Sequence, residues 1–258
     1  MTGLGLTSTE RARTTAELSA TQREVKQHYA AVARGAQTGC SVERGCGLPL
    51  NVANLLEGET VLDLGCGGGT EAIQAAQYVG PSGFVYGLDM TDEMLAVARK
   101  RAAQQHLDNL SFLEGMIEHI PLASHSVDVV ISNCVLNLCD DKKAALTDAL
   151  RVLVVGGRFV IADIVALKPG LPVQMRKDAA MIIGCSNDVL ELDDYLRLLD
   201  QVGFVDAHIN PYRTFSFDYI QQKAAERSYT TLLAELDADL VDNALAAAYV
   251  FGNKAQTR

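Results

Sequence analysis

The chain has 258 residues, 48% of them apolar, which is enough to bury a sizeable core and excludes global disorder. Thirty-two acidic against 22 basic residues give a net charge of −10, a surface that repels a phosphate backbone and excludes nonspecific nucleic-acid binding. The first residues lack a basic stretch followed by an apolar one, and no segment approaches the ~18 apolar residues of a bilayer span. The expectation is a soluble cytoplasmic protein without membrane or nucleic-acid partners.

From Thr9 to about Arg34 the chain is polar and Ala-rich. Leu18, Val25, Tyr29 and Val32 recur at helical spacing, which predicts a helix laid on a larger body, as a lid or as a dimer surface. Residues 35–58 are rich in glycine and carry Cys40 and Cys46, a loop leading into the first strand. Short apolar runs then predict strands at Thr60–Leu64, Phe84–Leu88, Leu110–Leu113, Val127–Ser132 and Gly157–Asp163. Between them Glu71–Tyr78, Asp92–Gln105 and Asp141–Leu153 read as helices, the second with Thr91 as N-cap. This alternation predicts an α/β fold with a parallel, doubly wound sheet. Beyond the turn at Lys168–Pro172, residues 173–184 and Leu192–Val202 read as helices, the latter stopped by Gly203. Phe204–Ile209 reads as a strand, 218–245 as helical, and Ala247–Phe251 as a closing strand. Three parts follow: 1–58 as helix and Cys-bearing loop, 59–165 as the core, and 166–258 completing the sheet.

The glycine-rich loop carries the clearest chemistry. Asp63-x-Gly65-x-Gly67-x-Gly69 ends a predicted strand and opens a predicted helix, where glycine lets the backbone turn sharply and approach a ligand. Asp89, twenty residues beyond Gly69, ends the next strand, where a carboxylate can accept from both hydroxyls of a ribose. The spacing differs from the G-x-G-x-x-G dinucleotide fingerprint. It resembles motif I of class I S-adenosylmethionine methyltransferases. The resemblance implies a Rossmann-like seven-strand sheet with the last strand antiparallel, and S-adenosyl-L-methionine as cofactor. It also implies that Gly65, Gly67 and Gly69 pass under the methionine and ribose, that Asp63 orders the loop and that Asp89 holds the ribose. Met90, Met116 and Ile117 would border the adenine, and the backbone around Asn133 would face the methionine amino group.

A narrower resemblance rests on Gly87–Leu95, Ile117-Glu118-His119-Ile120-Pro121, Ile131–Leu138, Ala162–Val165 and Ile183-Gly184-Cys185. Together these strings are similar to those of arsenite methyltransferases. That family holds trivalent arsenic, a soft centre, on thiolates, leaving its lone pair free to take a methyl group. Carried over, Cys46 in Gly45-Cys46-Gly47, Cys40 upstream and Cys185 would form the arsenic site, with arsenite or a thiol conjugate as substrate, a thiol reductant as partner and arsenic detoxification as outcome. No cysteine follows Cys185. Proximity would supply most of the catalysis, without a general base.

Other readings remain beside it: methyl transfer to a small organic thiol or carbon acceptor, or a non-catalytic arsenite-binding protein. The six cysteines are expected to be free thiols rather than structural bridges, with Cys66, Cys134 and Cys139 outside the site. No His or Cys spacing predicts a resident metal.

Overall fold

Residues 18–35, 46–183 and 189–256 are described by a computed structural model. The apolar runs form seven strands: β1 (Thr60–Leu64), β2 (Phe84–Asp89), β3 (Leu110–Glu114), β4 (Val127–Asn133), β5 (Leu153–Ala166), β6 (Phe204–Thr214) and β7 (Leu245–Lys254). They make one sheet in the order β3-β2-β1-β4-β5-β7-β6. The neighbouring strands from β3 to β5 pair parallel, whereas β7 runs antiparallel between β5 and β6. Leu62, Val129 and Ile131 are fully buried because helices cover both faces, as the near-continuous apolar runs of a parallel sheet require.

The helices are α1 (Ala20–Ala33), α2 (Thr70–Val79), α3 (Asp92–Gln104), α4 (Lys142–Val152), α5 (Val173–Ile183), α6 (Leu192–Val202), α7 (Phe217–Glu226), α8 (Thr230–Ala234) and α9 (Ala238–Val241). Gly203 stops α6 in the left-handed region at φ 107°. Thr91 stands at the N-cap of α3 but its side chain makes no capping bond; the Thr91 amide instead donates to the Asp89 carboxyl at 2.8 Å. The stretch expected to be helical over 218–245 breaks into α7, α8 and α9.

Within the sheet, Asp163 accepts from Asn137 Nδ2 at 2.6 Å and from its neighbour's Ile164 amide at 3.0 Å. Burial nonetheless pushes its carboxyl up to about 7. The unfolded chain releases this proton near pH ~3.9, so between there and about 7 the native state binds more protons and its stability falls as pH rises. Asp163→Asn removes that dependence. Urea denaturation is expected to show the variant gaining on the wild type by on the order of 2 kcal/mol between pH 5 and pH 7.

Candidate active site

The strand order reverses direction between β1 and β4, and there the carboxyl ends of an open α/β sheet leave a crevice. A cavity of about 750 Å³ opens at this point. One half is built by the β1–α2 loop. Gly65 and Gly67 take positive φ (68° and 50°); a Cβ on Gly65 would lie 2.3 Å from Val135, whereas one on Gly67 would meet nothing within 4 Å. Gly67 therefore leaves its space to a ligand. Gly69, expected in the same cradle, is absent from the cavity wall. It caps α2 at φ 79°, and its missing Cβ makes room for Ala98 and Phe112 at 2.8 and 3.0 Å.

Three acids share this half: Asp63, Glu71 and Asp89. Burial, then the charges of Glu71 and Asp89, pushes the Asp63 carboxyl well up. Burial also raises Glu71, against the bond from Asn133, and Asp89, against the amides of Thr91 and Gly67. Gly67 N donates to Asp89 at 2.9 Å. Asn133 Nδ2 donates to Glu71 at 2.6 Å and to the Gly47 carbonyl at 2.7 Å, tying the Cys46 loop to α2. Met90, Met116 and Ile117 line the cavity wall together with Asp89.

Glu118 was not among the expected site residues. Only 9% exposed, it accepts at Oε1 from Gln22 Nε2 and from the Cys139 thiol, both at 3.2 Å. Its Oε2, like Glu71 Oε2 and Asn133 Oδ1, is buried without a hydrogen-bond partner. Buried acceptors without donors are costly, and all three belong to residues on the cavity wall. A ligand carrying a positive charge and N–H donors at separated points satisfies them. S-adenosyl-L-methionine carries an ammonium, a sulfonium and an adenine amino group, and it fits this donor demand.

The helix α1 lies over the same half. Ser19 and Gln22 form a reciprocal capping box, and Val25, Ala30 and Val32 are buried. Lys26 reaches Asp92 and Glu114 at 3.9 and 3.8 Å, Arg34 pairs with Glu93 at 2.5 Å, and Ser19 is bonded to Asp140. Gln22, Val25, Tyr29 and Val32 line the cavity.

The other half brings sulfur into the cavity. Cys46 and Cys134 are joined as a disulfide with Cα atoms 5.7 Å apart, linking the loop before β1 to the residue after β4. This corrects the expectation that the cysteines are all free thiols, and it puts Cys134, expected outside the site, on the cavity wall. At φ 57°, Cys134 turns left-handed as its amide donates to the Ala162 carbonyl, which swings the chain toward Cys46. Cys40 and Cys185 lie outside the described residues; Ile183, at the end of α5, lines the cavity. Cys66 and Cys139 also reach the wall, and burial pushes both thiols far up, with the charges of Asp63 and Asp89 adding to it at Cys66 and that of Glu118 at Cys139. Stacked Tyr212 and Tyr249, with ring centroids 4.5 Å apart, close over Gly47, which has no room for a Cβ beneath them.

The sheet order, the glycine loop and the acid-lined crevice define a class I methyltransferase, with S-adenosyl-L-methionine as cofactor. The family model for a methyltransferase domain matches residues 55–203, and the chain belongs to that family. It is 42% identical over 198 residues to an arsenite methyltransferase of Halobacterium salinarum, covering 77% of this chain and 49% of that protein. It is 40% identical over 177 residues to an arsenite methyltransferase of Aquipseudomonas alcaligenes, covering 64% of this chain and 49% of that protein. The chain thus spans about half the length of these two relatives. Among solved structures, an arsenic(III) S-adenosylmethionine methyltransferase from Chlamydomonas reinhardtii superposes with a TM-score of 0.59 at 28% identity, covering 90% of this chain and 73% of that one.

Proposed function

We propose that this chain methylates trivalent arsenic, held by Cys46 and Cys134, with S-adenosyl-L-methionine as methyl donor. The observation that carries the reading is the convergence of these two sulfurs at the cavity that the glycine loop and Asp89 also line. The similarity to arsenite methyltransferases supports it. When bound, the cofactor supplies an electrophilic methyl carbon on a sulfonium. Gly65 and Gly67 would admit its backbone-facing side, Asp89 would accept from the ribose, and Glu71 and Asn133 would receive its ammonium. A thiol reductant opens the disulfide: two thiols become one disulfide, and Cys46 and Cys134 take the two protons. The freed cysteines then bind arsenic, displacing two of its ligands with those protons. The arsenic lone pair would form the new bond to carbon while the carbon–sulfonium bond breaks with its electron pair left on sulfur, releasing S-adenosylhomocysteine. No residue need remove a proton, and the two electrons that arsenic gives up are restored by the thiol reductant, two thiols becoming a disulfide. Cys40 and Cys185 complete the thiol set in this reading, which makes the chain a cytoplasmic enzyme of arsenic detoxification.

The test is methyl transfer from labelled S-adenosylmethionine to arsenite in the presence of a thiol, with arsenic species resolved by chromatography. Methylated arsenicals are expected. Their absence from folded, reduced, cofactor-binding protein refutes the reading.

Glu118 gives a second expected outcome. Its unpartnered Oε2 lies on the cavity wall with Met116 and Ile117, and in this reading it would accept from the adenine amino group. In Glu118→Gln an amide N–H₂ meets that amino group, donor against donor, and cofactor affinity should fall about tenfold. The inosine analogue of the cofactor, which presents an acceptor there, should bind the variant better than it binds the wild type. Calorimetric titration of both ligands reads this reversal.

A further inference from the structure

In a chain of net charge −10, three cationic side chains line one cavity: Arg213, Lys223 and Arg227. Tyr219, Lys223 and Arg227 recur every four residues along α7 and its C-cap, which places them on one helix face. Arg213 approaches from β6. Its Cζ lies 4.8 Å from the centroid of the Tyr219 ring and 5.3 Å from that of Phe215, while Lys223 Nζ lies 5.6 Å from the same Tyr219 ring. One ring therefore gathers two cations.

The ordinary account is a helix C-terminus attracting basic residues, and Lys223 does pair with Glu226 at 2.5 Å. It does not extend to Arg213, which sits on a strand. Among the described residues neither Arg213 nor Arg227 makes an ion pair. Tyr219, Cys46 and Cys134 pack against one apolar cluster, and the cations and the sulfurs line the same cavity. Neutral arsenous acid has no use for positive charge there. An anion bridging these like charges relieves their repulsion.

The geometry points to an anion subsite, formed by Arg213, Lys223 and Arg227, that receives a carboxylate carried on a substituent of the trivalent arsenical and so favours anionic arsenicals over neutral arsenous acid. It rests on the arsenic reading above. The carboxylate can be borne by a thiol ligand of arsenic or by an organic group bonded to it.

The test compares 4-carboxyphenylarsenous acid with phenylarsenous acid, binding each to the reduced full chain; the carbon–arsenic bond keeps the charge from leaving by thiol exchange. The wild type should prefer the carboxylated probe at least about tenfold at about 0.02 M salt, with the ratio collapsing toward one at about 0.3 M. Arg213→Gln with Arg227→Gln should abolish the preference, and the paired Lys replacements should retain part of it, which separates loss of charge from misfolding. Equal affinities in the wild type, or a preference indifferent to the Gln replacements, overturns the subsite. Loss of cofactor affinity with the arsenical ratio intact also overturns it and assigns the cations to the cofactor carboxylate. In parallel turnover assays, a lower KM for arsenite with 3-mercaptopropionate than with 2-mercaptoethanol identifies the thiol-borne source; a preference confined to the aryl pair identifies the organic one. Failure of the methylation reading shows separately, as an intact binding preference with no methylated product.

Discussion

Replacing either Cys46 or Cys134 by serine is expected to lower arsenite methylation by at least about two orders of magnitude while S-adenosylmethionine still binds. A hydroxyl is a hard, weakly acidic donor and a poor match for a soft arsenic centre, so the substitution removes a ligand rather than weakening one. A single remaining thiol fixes arsenic at one point, leaving it free to swing away from the methyl carbon, and the positional advantage of the bound geometry is lost. The two variants should fall together, because each removes half of one chelate whose Cα atoms stand 5.7 Å apart. Cys139→Ala is the comparison. Its thiol reaches the same cavity, but it is buried, donates to Glu118 and is held protonated, so arsenic stoichiometry should not follow it. Arsenic bound per chain, measured by elemental mass spectrometry after gel filtration, and initial rates with labelled cofactor read both halves. An undiminished rate in Cys134→Ser removes the pair from the mechanism.

That Cys134 meets Cys46 is a tertiary fact. The apolar run of β4 locates the strand, but the side chain's direction depends on a left-handed turn one residue past its end, which no hydrophobic period encodes. Its partner lies 88 residues away in a glycine-rich loop, so the pairing is set by the β1–β4 adjacency rather than by local spacing. The glycine loop, by contrast, was legible because its demands are local: Gly65 and Gly67 need positive φ or missing side chains where they stand. Gly69 shows the limit, since the same motif position serves packing against Ala98 and Phe112. Strands β1 to β4 keep to their expected bounds within one residue, whereas β5, β6 and β7 outrun theirs. β5 begins at Leu153 through exposed Val155 and Gly156, and β6 continues past Pro211 with a register shift, both on stretches with no alternation to read. The helical composition of 218–245 hides a break at Ser228, where φ is 61°, and a new start capped by Asp237. Glu118 was visible in the sequence, but its open oxygen becomes evident only once Gln22 and Cys139 are seen to occupy the other.

Asp89→Ala is expected to weaken S-adenosylmethionine binding by at least about a hundredfold, the worth of two lost charge-assisted hydrogen bonds at ~1.5–3 kcal/mol each. A carboxylate offers about four acceptor positions. Two are committed to backbone amides, Oδ2 accepting from Gly67 at 2.9 Å and Oδ1 from Thr91 at 2.8 Å, and the Thr91 side chain also bonds the carboxylate. These contacts fix where the remaining acceptor capacity points, which is what the ribose hydroxyls would use. Asp89→Asn is informative for the same reason. Its N–H₂ group must face either the Gly67 or the Thr91 amide, donor against donor, so the isosteric change should also cost at least about tenfold. Burial raises the Asp89 carboxyl above the usual aspartate range, and protonation removes acceptor capacity. Wild-type affinity should therefore decline as pH is lowered, beginning above the ordinary aspartate value, and the Asn variant should lose this limb. Calorimetric titration of the cofactor across pH measures all three. An affinity in Asp89→Ala within about threefold of wild type would place the ribose elsewhere, since loss of even one such bond exceeds that change.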